Sequence, residues 1–313
     1  MKQVVKVMSK KKVIKIVVAA LILIAVGVTI SLIMIKQNKR TLKVIDVEGD
    51  ASITRDDIGK IELYKNMAIH PGDLLVLNNG ILTLKADSDK YIYFDEKTEM
   101  EIEISGTKRK SDTEITLTRG ALTCDIKKKL SKDSSYVVKA PAVSITAGAG
   151  IFRVEMYEED ELIYTRITVF KGGVSTRLLY KDGSEAEDVV TVVEGSEVLI
   201  CEHEDKTEYV SAPTDIDYAR LPAPVLKRLQ KAIDSGRTLS VTKDEIDKCL
   251  EDVALVTYKY KEKVFGVQTV KRGEPITATP TDPSVGGAWD YDFSKPVTED
   301  LEIEWKSNNT EEE

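Results

Sequence analysis

The sequence predicts a mainly β protein carried by one amino-terminal transmembrane helix, with a short helical connector and a small β module near its carboxyl end. Three observations lead there. Residues 16–35, IVVAALILIAVGVTISLIMI, hold no charge. From Thr41 to about Val210, apolar residues alternate in short runs rich in Val, Ile, Tyr and Thr, the pattern of strands with one buried face. Beyond Pro213 the spacing turns helical and then returns to strands.

At about 1.5 Å rise per residue, the run from Ile16 to Ile35 is about 30 Å long, the thickness of a bilayer's hydrocarbon core. A signal peptide has a shorter apolar core followed by small residues for cleavage. Here the run ends in Met34-Ile35-Lys36-Gln37-Asn38-Lys39, so a retained anchor is expected, with residues 1–15 as a tail. Lys2, Lys6, Lys10, Lys11, Lys12 and Lys15 precede it, against Lys36, Lys39, Arg40 and Lys43 after it. The more basic side stays in the cytoplasm. The expected location is therefore the cell membrane, with the bulk of the chain outside. Gly27 and Ser31, four apart on one helix face, offer a weak homodimer contact.

Charge divides the chain in two. Nine of its 45 Lys and Arg residues and none of its 53 acids lie in the first forty positions, leaving a net charge of −17 on the rest. That excess argues against nucleic acid as a partner and against adhesion to anionic lipid head groups, and is expected to be a solvated acidic surface. Cys124, Cys201 and Cys249 are odd in number and widely spaced, which fits neither a disulfide framework nor a zinc knuckle.

Strands are expected at 44–47, 50–54, 74–77, 81–86, 91–94, 99–104, 114–117 and 121–126, then at 136–139, 143–145, 151–156, 163–170, 174–179, 189–193 and 197–201. Their spacing suits a sandwich, a barrel or a coiled solenoid. Tight turns are expected at His70-Pro71-Gly72-Asp73, Asn78-Asn79-Gly80 and Lys181-Asp182-Gly183-Ser184. Residues 211–252 form the connector. One helix runs from Pro224 to about Ser235, with Val225, Leu226, Leu229, Ala232 and Ile233 on one face and Gly236 as its stop. A second is opened by the capping box Thr242 and Glu245, with Ile246, Leu250 and Cys249 inward. Residues 253–306 read as strand, reversal, strand, proline-containing loop and strand. Residues 307–313, SNNTEEE, read as a disordered tail.

Chemical motifs are sparse. Gly148-x-Gly150 lacks the helix that a phosphate loop requires, because residues 151–156 alternate as a strand. It reads as a backbone bend. There is no Gly-x-Ser-x-Gly and no His-Glu-x-x-His. His70 falls in a turn. Cys201 and His203, with Glu202 and Glu204 nearby, put only two ligands on one strand face, too few to close a zinc site. Asp87-x-Asp89 and Asp290-x-Asp292 lack the remaining ligands of a calcium loop and read as solvated turn residues. No catalytic, cofactor-binding or metal-ligating residue is assigned, no cofactor is expected, and the expectation is a protein that is not an enzyme.

Read as a series, the β region resembles the FecR domain family of bacterial envelope proteins. The matching pieces are Val47-Glu48-Gly49-Asp50-Ala51, Pro71-Gly72-Asp73-Leu74-Leu75, Arg119-Gly120-Ala121-Leu122 after Ile115 to Leu117, Val137-Val138-Lys139-Ala140-Pro141-Ala142, Ile151-Phe152-Arg153-Val154 and Val169-Phe170-Lys171-Gly172-Gly173-Val174. They cover residues 41–205 in the family's order; Ala149-Gly150 replaces the usual Gly-Thr. The resemblance implies an extracytoplasmic, solenoid-like all-β domain (41–210) and signal reception across a membrane. Residues 1–15 are too short for the anti-sigma domain of transducing members.

Residues 253–306 are similar to the internalin B-type repeat. The carrying pieces are Val267 to Glu274, Gly287-Ala288-Trp289-Asp290-Tyr291-Asp292-Phe293, and Pro296 through Trp305. This implies a β-grasp-like module with a reduced middle and Trp289, Phe293 and Trp305 in its core. The functional expectation is a membrane-anchored binding or scaffolding protein, its partner an envelope protein or cell-wall ligand. A transmembrane sensor is the alternative, and an envelope hydrolase using Asp290 and Asp292 ranks last.

Overall fold

The computed structural model describes residues 40–55, 58–107, 110–202, 209–280 and 282–308. The expected anchor at 16–35, with Gly27 and Ser31, lies outside them, as do His203, Glu204 and residues 309–313. Among the described residues, no helix is long and apolar enough to cross a membrane.

The fold is mainly β. One sheet contains β1 (Leu42–Arg55), β2 (Gly59–Glu62), β3 (Asp73–Ala86), β4 (Lys90–Phe94), β5 (Thr98–Gly106), β6 (Ser111–Arg119), β7 (Ala121–Ile126) and β8 (Ser135–Ala140). It continues with β9 (Val143–Ala147), β10 (Gly150–Glu159), β11 (Leu162–Lys171), β12 (Gly173–Leu178), β13 (Val190–Val193), β14 (Ser196–Glu202), β15 (Tyr209–Val210) and β16 (Thr214–Asp215). Pairing is antiparallel except between β6 and β8.

The sheet forks at β3. One edge of β3 carries β1; the other pairs with β5 through residues 73–77 and with β4 through residues 82–86. One wing runs from β5 through β6, β8, β9 and β12 to β13, and the other from β4 through β7, β10, β11 and β14 to β15. The wings lie face to face. Tyr136 on β8 donates its hydroxyl to the Cys124 sulfur on β7 at 3.3 Å and meets the Phe152 ring on β10 edge-on, although four strands separate β8 from β7 in the sheet. Apolar residues from β3 and both wings, among them Leu84, Ile92, Leu122, Ile115 and Val138, form one core. The sheet does not close into a barrel.

The fold-over corrects one expectation. Asn78-Asn79-Gly80 does not reverse the chain; it is a bend inside β3, matched across the ladder by Gly49 in β1. Gly80 has φ +99°, and a Cβ there would lie 2.2 Å from the Glu48 carbonyl oxygen. Both facts demand glycine. Gly80→Ala is expected to cost more than about 2 kcal/mol in denaturant unfolding, because left-handed strain and a backbone clash add.

Registers define two ends. Leu42, Ala86, Lys90, Ile126 and Gly150 align at the near end, where the described chain begins; Gly49, Gly80, Phe94 and Leu122 mark the far end. Arg40 is buried at the near end, 3.1 Å from Asp87, with Thr113 Oγ1 at 2.8 Å and the Ser105 and Asp112 carbonyls also accepting from it. Asp87 is therefore no solvated turn residue. Its carboxylate also meets Lys90, which Asp89 shares.

The connector contains α1 (Ala223–Asp234) and α2 (Lys243–Glu251). Pro224 lies in the first turn of α1, and the capping box of Thr242 and Glu245 opens α2. Val225, Leu226, Leu229 and Ile246 pack with Ile151 and Phe170, which point outward from β10 and β11. Those strands are thereby buried on both faces.

A second sheet contains β17 (Val253–Tyr260), β18 (Lys263–Lys271), β19 (Gly287–Trp289) and β20 (Leu301–Ser307), in the order β18-β17-β20-β19 with β17 and β20 parallel. Trp289 contacts the rings of Tyr258, Phe265 and Trp305 at its centre, and Phe293 is half-buried at the side. Ser307 closes β20 and the Asn308 amide donates to Gly286, so the expected tail begins later than 307. This module sits at the far end. The Val267 and Gly80 amides both donate to Glu96 Oε1, at 2.5 and 2.8 Å, and Lys263 pairs with Glu62.

Candidate binding cleft

A cleft of about 1560 Å³ runs along the outward side of β4 and β7, walled by α1 and by the second sheet. Tyr91 and Tyr93 alternate with the inward Ile92 on β4, so their rings lie side by side on the outer surface, 6.3 Å apart and nearly parallel. Cations cover both. Lys127 stands 4.4 Å from the Tyr91 centroid and the Arg228 guanidinium 4.8 Å from that of Tyr93. Burial, with Asp125 adding, pushes the Tyr93 phenol up to about 12. Burial also lowers the Arg228 pKa, yet a guanidinium stays charged at physiological pH.

Arg228 is the group in the cleft with unused capacity. Its Nη1 is buried without a hydrogen-bond partner, and the nearest carboxylate oxygen, on Asp95, is 3.9 Å away. A buried donor left unmatched is costly, so this position favours an incoming acceptor. Two charged pairs nearby are already engaged: Arg237 holds Asp125 at 2.6 Å and Lys227 holds Asp300 at 3.0 Å.

Behind the cleft lies an ion-pair network. Arg153 on β10, 2% exposed, sends Nη1 to Asp95 at 2.7 Å and Nη2 to Glu155 at 3.2 Å. Glu155 also takes Arg166 at 3.3 Å and Arg220 at 3.0 Å, and Arg220 reaches Glu197 at 2.8 Å. Burial alone would raise the Glu155 pKa, but Arg153 and Arg220 outweigh it and hold it below the ordinary value. For Arg153, burial acts downward, and Asp95 and Glu155 carry the pKa above its usual value. Because Arg220 ends the 3-10 turn Tyr218–Arg220 just before α1, the network clamps the helical segment to the sheet. The pairs interlock, while Arg153 Nε is buried without a hydrogen-bond partner.

The residues singled out from sequence do not converge. Gly150 joins β9 to β10 in a bend, where a Cβ would lie 2.2 Å from the Lys171 carbonyl oxygen; Gly148 faces open space. The strand behind them is β10, and no helix follows. His70 is exposed in its turn, its amide donating to Asp73. Cys201 is buried, while the partner considered for it, His203, lies outside the described residues. Asp290 pairs with Lys306, and Asp292 accepts from Ser294, both exposed. Among the described residues, no three His, Cys, Asp or Glu side chains gather as metal ligands. Sequence reasoning missed Arg228 and the Arg153 network. The available signal was a basic residue between the apolar Phe152 and Val154, on a strand whose outward positions include Ile151.

No protein-family model matches the chain, and no curated protein matches it. Among solved structures it is similar to two crystal structures described as a candidate anti-sigma factor from Parabacteroides distasonis ATCC 8503. Identities are 11% and 12%, with 75% of this chain and 99% and 97% of those chains covered, both at a TM-score of 0.36. A TM-score that low does not establish a common fold.

Proposed function

We propose that the chain is a membrane-tethered binding or scaffolding protein of the bacterial envelope, its bulk outside the cytoplasm, in which a FecR-type β domain holds an internalin B-type repeat away from the lipid. One observation carries this reading. The chain enters the fold at Arg40, pinned at the near end, and the second sheet sits at the far end beside Gly49, Gly80 and Glu96. Leu42 to Gly49 covers about 23 Å at strand rise. Arg40 is the fifth residue after Ile35, so an extended chain separates them by at most about 17 Å.

The finer assignments rest on the same resemblance. The first strand of the second sheet lying parallel to the last, each with an antiparallel partner outside, supports the β-grasp-like reading. A solenoid-like course for the first sheet finds support only in the way its chain passes repeatedly between wings. Arg228 offers an anion seat for a bound partner.

Cell fractionation tests the tether. The full chain is expected to stay with membranes through alkaline carbonate and to lose residues beyond 41 to protease added to intact cells. Release by carbonate, or protection of the bulk from protease, would refute the reading.

A further inference from the structure

Net charge hides an uneven distribution. Four parts of the chain ring Arg40 at the near end: its own start, the Asp87 to Lys90 turn, Ser105 to Thr107 with Lys110 and Ser111, and the loop from Lys127 to Ser134. Contacts bring them together. The Lys127 amide donates to the Asp89 carbonyl at 2.9 Å, and the other end of that loop meets the start of β6, where Ser134 Oγ accepts from the Ser111 amide at 2.9 Å. Ser135 donates to Asp112, whose carbonyl Arg40 also uses. Leu130 packs against the core and fixes the middle of the loop.

These segments expose Lys110, Lys127, Lys128, Lys129 and Lys132. Their acids are mostly spent. Asp87 and Asp89 face Arg40 and Lys90, and Asp112 is half-buried, leaving Asp133 as the exposed carboxylate among the described residues of this ring. The exposed acids Glu158 and Glu159 at the end of β10, and Asp160 and Glu161 in the turn to β11, lie beyond the Glu155–Ala121 pair at the opposite end of that strand. A basic ring around the point where the chain enters the fold is thus embedded in a bulk of net charge −17.

We propose that this ring is a docking surface for anionic phospholipid head groups, which orients the β domain upright on the membrane that anchors it. The inference rests on the tether reading above. A lysine cluster within a Debye length of an anionic leaflet is attracted to it, and the attraction fades with salt. Tethering at Arg40 supplies that proximity, so the acidic excess elsewhere does not prevent contact.

Lysine acylation of the full chain in lipid nanodiscs tests this. In discs containing phosphatidylglycerol, acylation of Lys127, Lys128, Lys129 and Lys132 is expected to slow by about tenfold relative to phosphatidylcholine discs at low salt, with the difference lost at high salt. Lys181, in the β12–β13 connection, serves as the internal standard. In the K128E/K129E/K132E variant the remaining Lys127 should lose its protection. Equal acylation in both lipids, with the chain co-eluting with both discs, overturns the docking surface and leaves the tether standing. Failure to co-elute with phosphatidylcholine discs overturns the tether, and the docking surface with it.

Discussion

Arg153→Ala is expected to lower the unfolding free energy by about 3–5 kcal/mol, the range for breaking a buried ion pair by removing one partner. Asp95 would keep only Arg228, 3.9 Å away, while Glu155 would keep Arg166 and Arg220, which points to the lower part of that range. Arg153→Lys should recover little. One ammonium cannot reproduce the two guanidinium arms that reach Asp95 and Glu155 separately. The network also sets an acid limit. Glu155 has a folded pKa below its ordinary value, so its contribution is complete above the unfolded pKa of about 4.5 and disappears as pH falls through the folded one. Denaturant midpoints measured downward from pH 6 should therefore fall in the wild type and fall less steeply in Arg153→Ala. Equal midpoints for the two proteins at neutral pH would show that the clamp contributes nothing.

Trp289→Ala is expected to unfold the second sheet while leaving the first assembled. Truncating a buried tryptophan costs about 3–5 kcal/mol, and a unit this small has little stability to lose. Trp289 touches three other rings at its centre, so no neighbour can fill the space without abandoning another contact. Both tryptophans of the chain, Trp289 and Trp305, belong to this unit, and the variant leaves Trp305 as its reporter. Its emission should shift to the red and become accessible to iodide, while the far-ultraviolet signal of the larger sheet persists. Blue emission and a wild-type melt would contradict the packing described.

Local patterns in the sequence carried most of the element positions. The capping box at Thr242 and Glu245, Pro224 at the start of α1 and the alternation at 91–94 each act within a few residues, so reading them needs no partner. Features made by distant partners were not readable. Asp87 looked solvated because Arg40, which buries it, stands 47 residues earlier. Arg153 meets Asp95 across 58 residues. Asn78-Asn79-Gly80 has the composition of a reversal, and only the facing Gly49 turns it into a fold-over. The lysine ring brings Lys110 and Ser111 against the 127–134 loop, which no spacing rule links.

The thiol of Cys124, sealed beneath the Tyr136 hydroxyl, has its pKa raised to about 12 by burial. Cys249 is half-buried on α2, and burial, then Asp252, Asp217 and Glu245, also disfavour its thiolate. Since the thiolate is the reactive form, both sulfurs are poor nucleophiles at neutral pH. An oxidising environment would thus find little to attack at either of these two positions.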